Sequence, residues 1–260
     1  MRKAYPSDLS DEQWDILREF VPEPQPGPQQ QEPKYERREI VNAILYQKRT
    51  GCQWRYLPHD FPPWEIVAKY FYRWRGDGLF ERINDTLRQR MRVAAGREAE
   101  PSLGIIDSQS VKTTEAGGPK GFDAGKKVKG RKRHILVDVL GLLVVLYVTV
   151  ASVQDRDAVP RLLREGKAVA QRLENVLVDG AYTGKVVDTA SAETGVKVTI
   201  VKRPDIKGFV VVPKRWIVER SFGWMNRDRR LSKDYERTVE SSEQWIHISF
   251  VHRMVRCLAA

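Results

Sequence analysis

An α/β fold built on a mixed sheet, preceded by a small all-α segment, is what this sequence predicts, and three observations carry it. Apolar residues recur at helical spacing as far as about residue 94, and past Pro101 the pattern changes to short β-branched runs alternating with helical stretches. The third is the segment Ile135–Val153, which breaks at Leu140-Gly141 as a hairpin does. A hairpin requires antiparallel pairing, whereas the later strand, helix, strand run requires parallel pairing, so the sheet is mixed.

Element by element, Ser10-Asp11-Glu12-Gln13 is a capping box and predicts a helix over 11–20. Pro22, Pro24, Pro26 and Pro28 with Gln29-Gln30-Gln31 predict a stiff linker over about 22–33. Ile40, Val41, Ile44 and Leu45 form a helical stripe that stops at Gly51. Trp64, Val67, Phe71 and Trp74 form a second stripe, and Phe80, Ile83, Leu87, Met91 and Ala94 a third after Gly76 and Gly78. Beyond Pro101 the expected order is a strand over 103–107, a glycine-rich basic loop, a hairpin over 133–139 and 142–150, and a helix over about 158–173. A strand over 176–179, a helix over 185–194, a strand over 196–201 and a helical tail complete it. The expected division is a helical unit over 1–98 and an α/β catalytic unit over 99–260.

Lys and Arg outnumber Asp and Glu by 45 to 34, a net charge of +11, which favours a polyanionic partner. The two cysteines, Cys52 and Cys257, are too far apart in sequence for a zinc cluster or disulfide framework, so a reducing, cytoplasmic setting near the nucleoid is expected. The four histidines have no metal-ligand spacing, and His247 and His252 read as packing or surface residues of the last helix. The apolar stretch around Leu140 contains Asp138 and Gly141 and is not a membrane span. Gly121–Lys127 misses the phosphate-loop pattern by one residue of glycine spacing, with Lys127 where Ser or Thr is needed, which excludes ATP binding by that route.

Three carboxylates stand at the edges of predicted core elements: Asp107 after Leu103-Gly104-Ile105-Ile106, Asp179 after Val176-Leu177-Val178, and Glu219 in the helical stretch from Arg215. Convergent carboxylates repel one another unless a divalent cation joins them, and that arrangement suggests metal-assisted phosphoryl transfer. Arg215, Glu219 and Asn226 share one arc of a helix, next to a burying stripe of Val218, Phe222 and Met225. The basic stretch Lys120–Arg133 begins shortly after Asp107, so its cations flank the carboxylates. A further basic set, Arg220, Arg227, Arg229, Arg230, Lys233 and Arg237, follows Glu219. The candidate DNA contacts are Lys112, Lys126, Lys127, Lys129, Arg131, Lys132, Arg133, Arg215, Arg220 and Arg227. Arg55 and Arg73 join them from the aromatic-rich helical part, where a helix-turn-helix-like unit over 35–75 is expected.

Five motifs then carry a resemblance. Tyr5-Pro6-Ser7-Asp8-Leu9, Thr50–Pro58, Ile105–Thr114, Gly125–His134 and Arg215–Phe222 resemble the transposases of bacterial insertion sequences of family five, in the same order and over nearly the whole chain. The resemblance implies a DDE transposase with an RNase H-like domain, and it places the catalytic triad on Asp107, Asp179 and Glu219. It also implies two Mg²⁺ ions (or Mn²⁺) per site, terminal inverted repeats and target DNA as partners, and a homodimer on DNA. Asp179-Gly180-Ala181-Tyr182 matches the second motif. In the third, Val212 and Asn226 replace the usual Tyr and Lys, so Arg220 or Arg227 is expected to make the phosphate contact instead. Two rival readings share these residues: a structure-specific nuclease that never joins strands, and a transposase-derived DNA-binding protein without chemistry.

Overall fold

The computed structural model describes residues 2–23, 34–201 and 214–260. The proline- and glutamine-rich linker, from residue 24 on, and Val212 lie outside the described residues.

Among the described residues four α-helices come first: α1 (Asp11–Arg18), α2 (Arg37–Thr50), α3 (Trp64–Gly76) and α4 (Leu79–Ala94). The Ser10–Gln13 capping box is present at the start of α1. Gly51 ends α2 with a left-handed φ of 74°, a conformation glycine adopts without steric cost.

Among the described residues six strands follow in one mixed sheet: β1 (Leu103–Lys112), β2 (Gly121–Asp123), β3 (Val128–Asp138), β4 (Leu143–Val150), β5 (Asn175–Val178) and β6 (Lys197–Ile200). The spatial order is β2-β3-β1-β5-β6, with β4 pairing β3 along the edge opposite β1, beyond the short stretch that pairs with β2. β1 pairs antiparallel with β3 and parallel with β5, and β5 pairs parallel with β6. α5 (Val159–Val169), α6 (Lys185–Thr194), α7 (Trp216–Met225) and α8 (Val239–Leu258) complete the chain. This is the mixed-sheet, RNase H-like α/β architecture with preceding helices that the sequence predicts.

Two strands run further than the apolar pattern suggests. β1 continues through the polar run Ser108–Lys112, so Asp107 sits in mid-strand and not at its end. The stretch expected to be a loop is mostly a hairpin, with β2 and β3 joined by a turn at residues 124–127. Gly130 is required there, because a Cβ would collide with the carbonyl of Val111 on the paired strand.

The sheet is covered on both faces, and alternation sorts its side chains. Ile105, Ile135, Val137 and Leu177 enter one apolar cluster with α1–α4, α7 and α8, whereas Ile106, Leu136, Val176 and Val178 enter a second with α5 and α6. The first cluster runs continuously from Leu17 of α1 to Val255 of α8.

β4 is an outer strand, and α8 packs against it. The Val148 N–H, which no strand pairs, donates to Glu243 Oε1 of α8 at 2.9 Å. Burial raises the Glu243 carboxyl to about 7, with the Val148 hydrogen bond and Arg161 opposing that rise. A carboxyl raised on folding contributes stability that is complete below its ordinary range and is lost as pH climbs through about 7. Glu243→Gln keeps an acceptor for Val148 and removes the titration. Thermal melts from pH 5 to 8.5 are therefore expected to fall less steeply for this variant than for the wild type, and parallel curves would refute the assignment.

Candidate active site

The β1–β5 register places the two aspartates. Gly104 lies opposite Val176 and Ile105 opposite Leu177, so two residues further along each parallel strand Asp179 comes level with Asp107. By strand alternation both point to the face of Ile105 and Leu177, the face on which α7 packs against β1. α7 follows Arg215, and the guanidinium of this residue meets both carboxylates: Nη2 lies 3.5 Å from Asp107 Oδ2 and 3.4 Å from Asp179 Oδ2. The remaining oxygens are held by backbone. Asp107 Oδ1 accepts from the Ser108 N–H at 2.7 Å, and Asp179 Oδ1 from the Ala181 N–H at 2.8 Å.

Burial pushes the Asp107 carboxyl up, and the Asp179 charge adds to this, against the Ser108 N–H, Arg215 and Lys126. The pair is thus a site of concentrated negative charge, with one guanidinium shared between two carboxylates. Glu219 lies one turn after Arg215 on α7 and is exposed. Among the described residues no three metal-capable side chains gather at one point. The hard oxygens of Asp107 and Asp179 suit Mg²⁺ or Mn²⁺ and already converge on a cation, so this pair fits such an ion.

On the opposite face of β1 a second charged network braces the strand. Lys132 Nζ reaches Asp155 Oδ1 at 2.8 Å and Asp123 Oδ2 at 3.2 Å, while Ser108 Oγ donates to Asp155 Oδ1 at 2.8 Å. Lys126 Nζ donates to the Ser108 carbonyl at 3.0 Å, which ties the β2–β3 turn to the residue next to Asp107. Burial opposes ionisation of Asp123, but hydrogen bonds from Ser110 and the Lys126 N–H and the Lys132 ammonium hold it at about 2. The hydroxyl of buried Tyr182 is pushed well up by burial, with Asp107 and Asp155 nearby, and stays neutral. Sequence reading missed Asp155, which opens a short 3₁₀ helix (Asp155–Ala158) two residues past the apolar stretch that ends at Val153, where an acid reads as an ordinary solvated residue. Tyr182 was visible only as the last residue of the Asp179-Gly180-Ala181-Tyr182 motif.

Three of the expected DNA contacts are engaged inside the fold. Arg131 and Arg133 are fully buried on β3 and Lys132 nearly so. Arg131 pairs with Asp234 at 3.0 Å and Arg133 donates to the Leu231 carbonyl at 2.9 Å, so these cations brace the sheet and are not offered to a partner. His134 beside them is held at about 4 by burial and is hydrogen-bonded to Thr149 Oγ1 at 3.0 Å. Lys112, Lys126, Lys127, Lys129, Arg227, Arg55 and Arg73 are exposed, whereas Arg220 is half-buried between Trp216 and Trp224 with Nη2 on the Leu140 carbonyl.

With this geometry in place, comparison with known families decides the class. Residues 98–254 match the model of the transposase DDE domain. The chain belongs to the DDE transposase family. Residues 9–84 match a second model, described as "Putative transposase of IS4/5 family (DUF4096)". An uncharacterized protein, y4sN, of Sinorhizobium fredii is 31% identical over 104 residues, which cover 40% of this chain and 75% of that protein. A Burkholderia cepacia protein described as "Putative transposase for insertion sequence element IS402" is 29% identical over 143 residues, 52% of this chain and 66% of that protein. The solved Mos1 strand transfer complex is 14% identical with a TM-score of 0.32, covering 88% of this chain and 76% of that one. Among the described residues of this DDE transposase family member, no helix is long and apolar enough to cross a membrane.

Proposed function

We propose that this protein is a DNA transposase that cleaves at the ends of an insertion sequence and joins the freed 3′-hydroxyls to target DNA. The observation that carries this reading is the convergence of Asp107 and Asp179, from neighbouring parallel strands, on the residue that precedes the helix bearing Glu219. Asp107, Asp179 and Glu219 would hold two Mg²⁺ or Mn²⁺ ions. When bound, such ions supply Lewis-acid stabilisation at phosphorus and a nucleophilic oxygen at neutral pH. The strand backbone restrains both aspartates, and Lys126 holds the β2–β3 turn against the same strand. Arg215, once the aspartates are otherwise neutralised, has its N–H groups free for a phosphate oxygen. Terminal repeats and target would lie across exposed cations of the β2–β3 turn and the helical unit, within a homodimer that brings two ends together.

The decisive experiment incubates purified protein, MgCl₂, a duplex containing the element's ends and a supercoiled target. Cleaved ends and joined product are expected. Cleavage without joining would make the protein a nuclease, and binding without cleavage would leave only a DNA-binding role.

The turn makes a separate prediction. Lys127 and Lys129 are exposed and bracket the turn into β3, so Lys127→Gln/Lys129→Gln removes two cations without opening the core. Each lost phosphate contact lowers the slope of log affinity against log salt by about 0.9, so a decrease of roughly 1–2 is expected in anisotropy titrations. An unchanged slope would mean that the turn is merely solvated.

A further inference from the structure

A cleft of about 400 Å³ opens where α2, α7 and α8 meet, at the opposite end of α7 from Arg215. Its floor is a closed network. Lys48 Nζ sits 3.1 Å from Asp228 Oδ2 and donates to His252 Nδ1 at 2.8 Å, and Ser249 Oγ donates to Asp228 Oδ2 at 2.6 Å. Asp228 is the only acid among the described lining residues and is engaged by these contacts. Four more cations stand around it, Arg49, Arg227, Arg253 and Arg256. Arg49 is 59% exposed and donates to the Arg227 carbonyl at 2.5 Å, which brings these two arginines to one rim. The positive field registers on His252: burial first, then Lys48, Arg256 and Arg49, hold its pKa well below the ordinary value. Like charges gathered against a single spent carboxylate repel, and an anion in the cleft would relieve them.

A second observation gives this anion a direction. Trp216, Arg220 and Trp224 stack on successive turns of α7, with the Arg220 guanidinium 4.6 Å from the Trp216 ring and 4.7 Å from the Trp224 ring. Arg253 closes the row at 3.5 Å from Trp224, inside the cleft. Rings fix these guanidinium planes in place, so less freedom is lost when their edges meet a ligand. Along α7 the row runs from Trp216 to Trp224, about 12 Å or roughly three to four nucleotide steps.

We infer that this cleft is a phosphate-binding site that holds the backbone of a DNA strand leading along α7 from the Asp107–Asp179 pair. The inference rests on the proposed function and adds to it a path for the substrate that family membership does not assign. The native thiol of Cys257 is exposed and lines the cleft, which makes it a reporter.

In a Cys52→Ser, Asp107→Asn background, which leaves one thiol and prevents turnover, maleimide labelling of Cys257 is followed with and without end-containing duplex. At DNA ten times its dissociation constant the rate is expected to fall about tenfold, and the protection to vanish at high salt. Arg49→Gln/Arg256→Gln is expected to abolish the protection and to lower the salt slope of DNA binding by about 1–2. Arg49→Lys/Arg256→Lys, which keeps the charge, is expected to restore both. Labelling at the free rate under saturating DNA overturns the inference. Equal protection by inorganic phosphate at matched ionic strength, with the DNA affinity of the Gln variant unchanged, also overturns it, because the ligand is then a small phosphate. If wild-type protein cleaves and joins while Cys257 stays unprotected, only the path is wrong. If DNA protects Cys257 in this background but wild-type protein never cuts the same duplex, the cleft stands and the transposase reading falls.

Discussion

Asp107→Asn is expected to abolish strand cleavage, a loss of more than about a thousandfold, while duplex affinity stays at the wild-type level or tightens slightly. The amide keeps the shape of the side chain and can still accept from the Ser108 N–H, so β1 should not move. What it removes is one of the two charges that converge on Arg215, without deleting any cation that could bind a phosphate. The measurement is a gel assay of labelled end-containing duplex with MgCl₂, beside anisotropy titrations of the same duplex. Wild-type cleavage by purified Asp107→Asn would remove this carboxylate from the chemistry. A joint loss of cleavage and affinity would make it structural.

Asp234→Ala is expected to be the most destabilising of the substitutions considered. Arg131 and Asp234 are both fully inaccessible, and the Asp234 carboxylate also accepts from Ser242 Oγ at 2.7 Å and the Glu236 N–H at 3.0 Å. Removing it leaves a guanidinium buried without its counter-ion, which costs about 3–5 kcal/mol. In a chain of this size that corresponds to a fall in melting temperature of roughly 10 °C. Replacing the pair together, as Arg131→Met/Asp234→Leu, should recover much of the loss, because two apolar side chains need no desolvation of charge. A melting temperature within about 2 °C of wild type for Asp234→Ala would show that the pair contributes little.

These two substitutions also mark where sequence reading worked and where it did not. Amphipathic stripes located α3 and α4, because each buries one face and leaves the other in water, whereas the stripe that located α2 belongs to a helix covered on nearly every side as far as Lys48. Asp179 was legible because β5 ends where its apolar run ends. The true extent of β1 and β3 was hidden, since Ser108–Lys112 and Val128–Lys132 look like solvated polar runs. Ser108 and Arg131–Arg133 are buried because Asp155, Asp234 and the Leu231 carbonyl supply partners from remote parts of the chain, and no local pattern announces such pairings. α8 was anticipated only as a helical tail, because it is buried on nearly all sides and shows no stripe to the eye. At the site, spacing placed Arg215 and Glu219 one turn apart. It did not reveal that the arginine would stand between the two aspartates, an arrangement that arises from the register of β1 on β5.

The last helix has one more effect, through the strand that it covers. Leu143-Val144-Val145-Leu146-Tyr147-Val148-Thr149-Val150 carries no charge and is rich in β-branched residues, the composition of segments that self-associate as stacked ribbons. Its outer rim is shielded by a neighbour that contributes a carboxylate where another chain would present a carbonyl. A version of the protein lacking residues 239–260 would therefore be expected to lose solubility before it lost its remaining sheet, with fibrous or amorphous clumping seeded at this ribbon.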